Sequence, residues 1–436
     1  MSQNGNLCSS HKKAWTERQE TGCEVWHICG FLSCNFNWRN CRHPSRRSVW
    51  WRRSVDAIEG NERNTWSLKE MVSTRGRYCD NKRWFHCCQE RVCVLYYQPE
   101  WQVTLSCHGN DFLAEGMATD LEKLDALMVE NFETKVLPKI GPADAGGETS
   151  HLHRIIKFRE GSQEGFTCEA DPKYAKSLVK AMNLDGCKGV DTPSSKECGK
   201  GDRQASELLK LEEAKEFRSL AGTALYLSLD RPSIQFAMSE ISSGMSAPTR
   251  LHWLKLKRLV RYLAKYPTEV WKLEIQDQPS DYCVYTDSGW ASDRETRKSM
   301  SSFAEKFGEH LIETSCARQT VVALASGEAE FYAMTRGAAA GPMSQQILQS
   351  IGFNKLDLSL LTDSTAAKGI ANRSGSGKLK HLDIKDLWLQ DVARAKRLSI
   401  KKEPSASNWS DLGTKSLTGT RIGELLQIMP RTRKGA

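Results

Sequence analysis

The segment D-Y-C-V-Y-T-D-S-G-W, residues 281–290, decides the fold of the C-terminal part of the chain. Residues 282–286 form a compact strand-like run, and Asp287 follows at its end. Three more acidic residues occupy comparable places downstream: early in a long helix-like segment (Glu328), at the end of another strand-like run (Asp363), and at the opening of a C-terminal turn (Asp411). Several convergent carboxylates are the ligands that a pair of divalent cations requires.

The pattern of the last 160 residues or so predicts an alternating series of strands and helices. Strands are expected at 282–286, 299–307, 310–315, 356–362 and 398–403, and helices at 326–350, 364–372, 383–396 and from a start near Asp411. This order is that of a ribonuclease H fold, an α/β architecture whose mixed five-stranded sheet has its first and fourth strands adjacent and parallel.

Parallel neighbours end at the same edge of a sheet, so we expect Asp287 and Asp363 to lie side by side. Glu328 is expected on a helix that packs over that edge, and Asp411 is expected to return to it from the C-terminal helix. Glu330, two positions after Glu328 and roughly 200° around the helix, is expected to face away.

Bulk composition limits the function classes. The chain has 436 residues, enough for two or three domains with buried cores, and a net charge of +9, which permits a polyanionic partner without requiring one. It opens with no apolar signal segment and has no apolar run of about eighteen residues, so neither secretion nor a membrane span is expected. Its 15 cysteines include no repeated C-x-x-C pair, which indicates reduced thiols in the cytoplasm or nucleus.

The first ninety residues differ from the rest. They hold seven of the 13 tryptophans and show no helical or strand period. Four cysteines (Cys23, Cys29, Cys34 and Cys41) are spaced wrongly for a zinc knuckle or ribbon, which needs close pairs. Residues 1–90 are therefore predicted to be an unstructured or non-native leader, unassigned to a domain.

From Val92 the pattern predicts strand, turn, strand, tight turn, strand and then a helix, with H-G-N-D at the hairpin tip, residues 108–111. This segment resembles the palm hairpin of copia-type retrotransposon reverse transcriptases, whose tip reads x-x-D-D. Here Asn110 precedes Asp111, and a neutral amide in place of one carboxylate weakens metal binding. The resemblance implies a degenerate palm remnant over 91–193 without reverse transcriptase activity, a linker at 194–204, and a helical thumb or connection over 205–275.

A basic helix lies in that connection. Trp253, Leu256, Val260 and Leu263 form its apolar stripe, while Arg258 and Arg261 lie off the stripe and are expected to face solvent. Such a helix could contact the phosphates of a nucleic-acid backbone. A solvated charged face is the alternative.

The C-terminal strings resemble the ribonuclease H domain of the same copia-type Pol polyproteins. Five motifs occur in the family's order over 281–428: Y-T-D-S-G-W-A-S-D, V-A-L-A-S-G-E-A-E-F, L-T-D-S-T-A-A, K-H-L-D-I-K and N-W-S-D-L-G-T-K. The resemblance implies endonucleolytic cleavage of RNA in RNA–DNA hybrids, with two Mg²⁺ ions, or Mn²⁺ in their place, and other retrotransposon proteins as partners. It assigns metal binding to Asp287, Glu328, Asp363 and Asp411, and substrate contacts to Lys380 and His381.

Other interpretations remain open at this stage. Asp363 and Asp411 could cap helices, and His381 could be a solvated loop residue. The whole chain could be a non-catalytic retrotransposon relic that at most binds nucleic acid. An integrase on the same fold fits less well, because integrases use three carboxylates at other spacings.

Overall fold

The computed structural model describes residues 86–87, 95–108, 111–131, 135–137, 139–142, 147–161, 164–293, 295–377, 381–382 and 387–435. The predicted leader lies outside these residues except for a two-residue strand, His86–Cys87. The described residues divide into two compact units, one up to residue 136 and the other from residue 137 onwards. Across the described ranges, every helix is too short or too polar to span a bilayer.

The smaller unit contains an antiparallel sheet and one helix. Its strands follow one another in the order β1 (His86–Cys87), β2 (Leu95–Gln98), β3 (Val103–His108) and β4 (Asp111–Glu115). Helix α1 (Ala118–Asn131) buries Leu124 and Met128 against Val103 and Leu105. The predicted order of hairpin strands and helix is thus confirmed, although Asn110 lies outside the described residues and Asp111 is described only as the start of β4.

The larger unit begins with a second antiparallel sheet, built from segments far apart in sequence. Its order is β14 (Arg431–Lys434), β8 (Thr268–Glu274), β7 (Gly165–Ala170), β6 (Arg154–Arg159) and β5 (Glu148–His151). Between β7 and β8 the chain forms α2 (Lys173–Ala181), α3 (Leu211–Ser228), α4 (Pro232–Ser242) and α5 (Arg250–Lys265), which share one apolar core. The last strand of the chain therefore pairs with the strand that follows the helical segment.

Helix α5 has the predicted apolar stripe, with Leu256, Val260 and Leu263 fully buried. The two arginines off this stripe are half-buried, and each is hydrogen-bonded within the chain. Arg258 donates from Nη2 to Thr192 Oγ1 at 2.6 Å, and Arg261 donates from Nε and Nη2 to the Lys188 carbonyl at 3.0 and 2.8 Å. Both side chains bind the loop that precedes α3 and so have a structural role there.

The C-terminal sheet confirms the predicted ribonuclease H-like fold. Its order is β11 (His310–Arg318), β10 (Met300–Phe307), β9 (Asp281–Gly289), β12 (Asp357–Thr362) and β13 (Ser399–Lys402). The pairs β9–β12 and β12–β13 are parallel, while β9–β10 and β10–β11 are antiparallel. Its helices are α6 (Ser326–Ser350), α7 (Thr365–Asn372), α8 (Trp388–Arg394) and α9 (Gly419–Ile428).

The prediction that the closing helix begins near Asp411 is wrong. Asp411 lies in a short 3-10 turn, Trp409–Gly413, whose cap is the Asn408 side chain. Helix α9 starts only at Gly419, where the Thr418 side chain accepts from the Arg421 N–H. The sequence pattern predicts a single closing helix. Because Asn408 and Thr418 each cap a separate segment, the structure has a 3-10 turn followed by α9.

Helix α6 lies unusually close to the sheet because it presents glycines to β9. A methyl group added at Gly337 would stand 2.6 Å from Thr286 Cγ2, and one added at Gly341 would stand 2.8 Å from Val284 Cγ2. On the same sheet, Tyr285 stacks on Trp409 with ring centroids 5.2 Å apart and planes 4° from parallel. The strand that carries Asp287 is therefore held by α6 and by the 3-10 turn.

We predict that Gly337→Ala lowers the free energy of unfolding by about 1–3 kcal/mol, the usual cost of overpacking a core. Thr286 cannot easily rotate away, because its Oγ1 donates to the Leu361 carbonyl at 2.8 Å. Urea denaturation of the full chain measures the effect. The matched control is Gly369→Ala in α7, where an added methyl meets nothing within 4 Å; it should gain up to about 1 kcal/mol from helix propensity. Equal effects of the two substitutions would contradict the close packing of α6.

Candidate metal centre

Two aspartates are brought together by the parallel pairing of β9 and β12. Thr286 is in register with Thr362, and the next residue on each strand is the aspartate, Asp287 or Asp363. The structure places them side by side at one sheet edge, as the strand order predicts. Asp287 is buried, with 6% of its surface exposed, and Asp363 is half-buried.

Glu330 supplies the third carboxylate of this cluster. Oxygen atoms of Asp287, Glu330 and Asp363 all lie within 4.8 Å of one another, which is close enough for a shared metal ion. The expectation that Glu330 faces away is wrong. Gly337 follows Glu330 by seven residues, almost two full turns, so both lie on the helix face that packs on β9. That glycine, with Gly341 one turn later, is the sequence signal that could have identified Glu330.

Glu328 lies on another face of the same helix and makes other contacts. It is buried, and its Oε2 accepts from the Leu324 backbone N–H at 3.1 Å and lies 3.0 Å from His381 Nε2. As the third residue of α6, Glu328 reaches back over the helix N-terminus, where a carboxylate is favoured. Among the described residues, it is outside the cluster formed by Asp287, Glu330 and Asp363.

Asp411 flanks the cluster and is paired with cations. It is buried, Lys415 Nζ makes a short ion pair with its Oδ1, and Arg421 Nη2 lies 3.6 Å from its Oδ2. Its negative charge is nevertheless felt at Asp287, whose pKa it helps to raise. The structure thus brings Asp411 to the predicted edge of the sheet.

Burial and mutual repulsion disfavour the ionised forms of this cluster. Burial raises the pKa of Asp287 to about 7, with Asp411 and Asp363 adding to the effect and a 2.5 Å hydrogen bond from Thr414 Oγ1 opposing it. Burial, followed by the charges of Asp287 and Asp363, raises the pKa of Glu330 to about 8. Glu330 Oε2 is buried and has no hydrogen-bond partner in the described part of the chain. A divalent cation would satisfy this oxygen and relieve the repulsion, so the residues fit such an ion.

The capping alternatives for the two C-terminal aspartates do not hold. Ser364, not Asp363, caps α7, since its side chain accepts from the Ala367 N–H at 3.1 Å. Asp363 instead accepts at Oδ2 from Ser405 Oγ at 2.6 Å. His381 is exposed at the rim beside Glu328, and Lys380 lies outside the described residues.

Two residues that our sequence analysis did not single out complete the surroundings. Thr414 and Lys415 follow Asp411 by three and four positions, within the quoted string N-W-S-D-L-G-T-K. Thr414 donates to Asp287 and Lys415 pairs with Asp411.

Comparison with known proteins finds several relatives, among them polyproteins of plant transposons. No family model matches the chain. The retrovirus-related Pol polyprotein from transposon TNT 1-94 of Nicotiana tabacum is 25% identical over 252 residues, which cover 56% of this chain and 18% of the relative. The corresponding polyprotein from transposon RE1 of Arabidopsis thaliana is 26% identical over 263 residues, or 60% of this chain and 18% of the relative.

A shorter relative is an uncharacterized mitochondrial protein of Arabidopsis thaliana, 30% identical over 241 residues that cover 54% of this chain and 91% of that protein. Among solved structures, the N-terminal RNase H domain of a Mycobacterium tuberculosis protein, fused to maltose binding protein, aligns over 34% of this chain and 96% of its own at 15% identity. The TM-score of this alignment is 0.21.

The chain spans about a fifth of the length of the transposon polyproteins, 18% in each case. Over more than half of its length the chain is similar to retrovirus-related Pol polyproteins of transposons, and it contains a ribonuclease H-like sheet.

Proposed function

We propose that this chain is a copia-type ribonuclease H that cuts the RNA strand of RNA–DNA hybrids with Mg²⁺, or with Mn²⁺ in its place. The observation that carries the proposal is the cluster of Asp287, Glu330 and Asp363, whose oxygen atoms lie within 4.8 Å of one another at one sheet edge. They come from a strand end, a helix and a second strand end, so the fold itself maintains the cluster.

The chemistry requires this kind of site. In hydrolysis of a phosphodiester, a water loses a proton as it attacks, and the leaving 3′ oxygen gains negative charge. Two divalent ions roughly 3.5–4 Å apart supply both effects. Asp287, Glu330 and Asp363 would hold one ion, and Asp411 beside Asp287 would share in holding the second. This set replaces the one predicted with Glu328.

The substrate class is proposed from the family. The similarity to Pol polyproteins of transposons and the ribonuclease H-like sheet favour an RNA–DNA hybrid duplex as the substrate. The chain would recognise it through the ribose 2′-OH and the groove shape rather than through base sequence. Other retrotransposon proteins are the proposed partners. The degenerate tip at Asn110 and Asp111 is not proposed as an active polymerase site.

Glu328 takes a different role in this proposal. Its buried carboxylate lies 3.0 Å from Nε2 of the exposed His381, so it holds the imidazole at the rim of the site. We assign Glu328 as a positioning residue and His381 as a substrate contact. Its hydrogen bond from Leu324 N–H also steadies the start of α6, the helix that carries Glu330.

The first test is cleavage of a labelled RNA–DNA hybrid by the full chain. The full chain is used because β8, which precedes the C-terminal sheet in sequence, pairs with β14, which follows it. We predict that Glu330→Gln lowers the Mg²⁺-dependent rate at least ~100-fold, since it removes a charged ligand from transition-state stabilisation worth several kcal/mol. Asp287→Asn should do the same.

The matched control is Glu328→Gln, two residues away on the same helix, which should cost no more than about tenfold because it leaves the three-carboxylate cluster complete. A larger loss with Glu328→Gln than with Glu330→Gln would contradict the assignment. No RNA cleavage by the folded wild-type chain with either ion would favour a relic that at most binds nucleic acid.

A second prediction concerns pH and stability without metal. The folded-state pKa values of Asp287 and Glu330, about 7 and about 8, exceed their ordinary values of 3.8 and 4.5. Between these limits the unfolded chain releases protons that the folded chain retains, so stability falls as pH rises from about 4 to about 8. In EDTA, urea denaturation should show an unfolding free energy lower at pH 8 than at pH 5 by several kcal/mol in order of magnitude.

The double variant Asp287→Asn, Glu330→Gln should lose most of that pH dependence, and millimolar Mn²⁺ at pH 8 should restore stability only to the wild-type chain. Asp357→Asn, at the exposed opposite end of β12, is the control and should behave as the wild type. Identical pH profiles for the wild type and the double variant would show that the cluster is not under electrostatic strain.

A further inference from the structure

Lys415 brings a positive charge into the carboxylate site. Its Nζ makes a short ion pair with Asp411 Oδ1, and its charge also acts on Asp287 and Asp363. The lysine thus lies among the same side chains that we propose as metal ligands. It touches the one aspartate that stands outside the three-carboxylate cluster.

The backbone that carries Lys415 is fixed. Thr414 is fully buried, and its hydroxyl donates to Asp287 Oδ2 at 2.5 Å. A methyl group added at Gly289 would stand 2.3 Å from the Thr414 carbonyl oxygen, so the end of β9 lies directly against this residue. On the other side, Cys316 Sγ lies 2.8 Å from the Gly413 carbonyl. The position of the Lys415 backbone is therefore tied to that of Asp287.

The Lys415 side chain, in contrast, can leave. It is 52% exposed, and a lysine stem has four rotatable bonds through which its ammonium group can move into water. Arg421, the other cation at Asp411, is less free. It donates from Nη2 to the carbonyls of Ser405 and Ala406 at 3.2 and 2.9 Å, and it stands 3.6 Å from the Asp411 carboxylate.

Charge balance then distinguishes two metal positions. An ion held by Asp287, Glu330 and Asp363 meets no competing cation in direct contact with those three among the interactions described. An ion that uses Asp411 must compete with the Lys415 ammonium group at Oδ1, because Arg421 already stands 3.6 Å from the other carboxylate oxygen. This competition lowers the affinity of the second position for its ion and does not act directly on the first position.

We propose that Lys415 is an internal counter-cation, which occupies the second divalent-ion position of the metal-free chain and must swing aside before that ion binds. The proposal rests on the proposed function, and it adds an order to metal loading. The three-carboxylate cluster takes its ion first. Asp411 contributes to a second, weaker position that opens when the ammonium group leaves for solvent. No covalent bond changes in this exchange.

The test is Mn²⁺ binding to the full chain without substrate. Isothermal titration calorimetry and the electron paramagnetic resonance signal of free Mn²⁺ measure the binding. We expect wild type to bind one ion tightly and a second at least tenfold more weakly. Lys415→Met keeps the apolar stem and removes the charge, so it should tighten the second ion at least tenfold and change the affinity for the first far less.

Two control variants separate charge from structure. Lys415→Arg retains a cation and should keep the second ion weak, while Lys355→Met removes an exposed lysine just before β12, at the end opposite Asp363, and should change neither ion. An unchanged second dissociation constant in Lys415→Met, or two equally tight ions in wild type, would overturn the role of Lys415 and leave the metal centre intact. If the folded wild type binds no Mn²⁺ at all, both the metal centre and this inference fail.

Discussion

The parallel pairing of β9 with β12 is the constraint on which the site depends. Its register sets Thr286 opposite Thr362, and therefore sets Asp287 and Asp363 one step beyond the last paired residues. A slip of one residue would turn one aspartate to the other face of the sheet, because side chains alternate along a strand. Glycines in α6 then allow the helix to approach β9 closely enough for Glu330 to join the pair. The three carboxylates repel one another, and the surrounding packing holds them together despite that cost.

The neighbouring sheet supports this arrangement from the other side. Buried residues of β7 and β8, Cys168 and Trp271, share an apolar cluster with Tyr285 of β9 and Trp409 of the 3-10 turn. The last strand is fastened to β8 through Arg431, whose guanidinium lies 3.8 Å from the centre of the Trp271 ring and whose Nε lies 3.0 Å from Glu269 Oε1. Strands β7 and β8, from the segments predicted as palm and connection, therefore pack beside the C-terminal sheet within the larger unit. The sequence motifs indicate a family resemblance, but they do not predict which strands pair in one sheet.

Much of the C-terminal fold could be predicted from the sequence, because apolar periodicity and strand-ending aspartates are local signals. Helix α6 begins and ends where expected, and Asp287 and Asp363 meet as strand order requires. The choice between Glu328 and Glu330 was not local, since it depends on which helix face meets the sheet. Only the glycines at 337 and 341 indicate that face. The separation of the 3-10 turn from α9 likewise depends on the Asn408 and Thr418 caps. Hydrophobic periodicity does not reveal capping residues. The hydrogen bonds of Arg258 and Arg261 depend on a loop more than sixty residues away in sequence.

The central claim is that Asp287, Glu330 and Asp363 form a divalent-metal centre in which Glu328 has no part. Anomalous diffraction from crystals of the full chain grown with Mn²⁺ tests it most directly, because the signal locates the ion without reference to activity. We predict an anomalous peak in contact with carboxylate oxygens of all three residues, with Glu328 still bonded to the Leu324 N–H. A peak coordinated by Glu328, or no peak at this edge of the sheet in a chain with the same fold, would contradict the account.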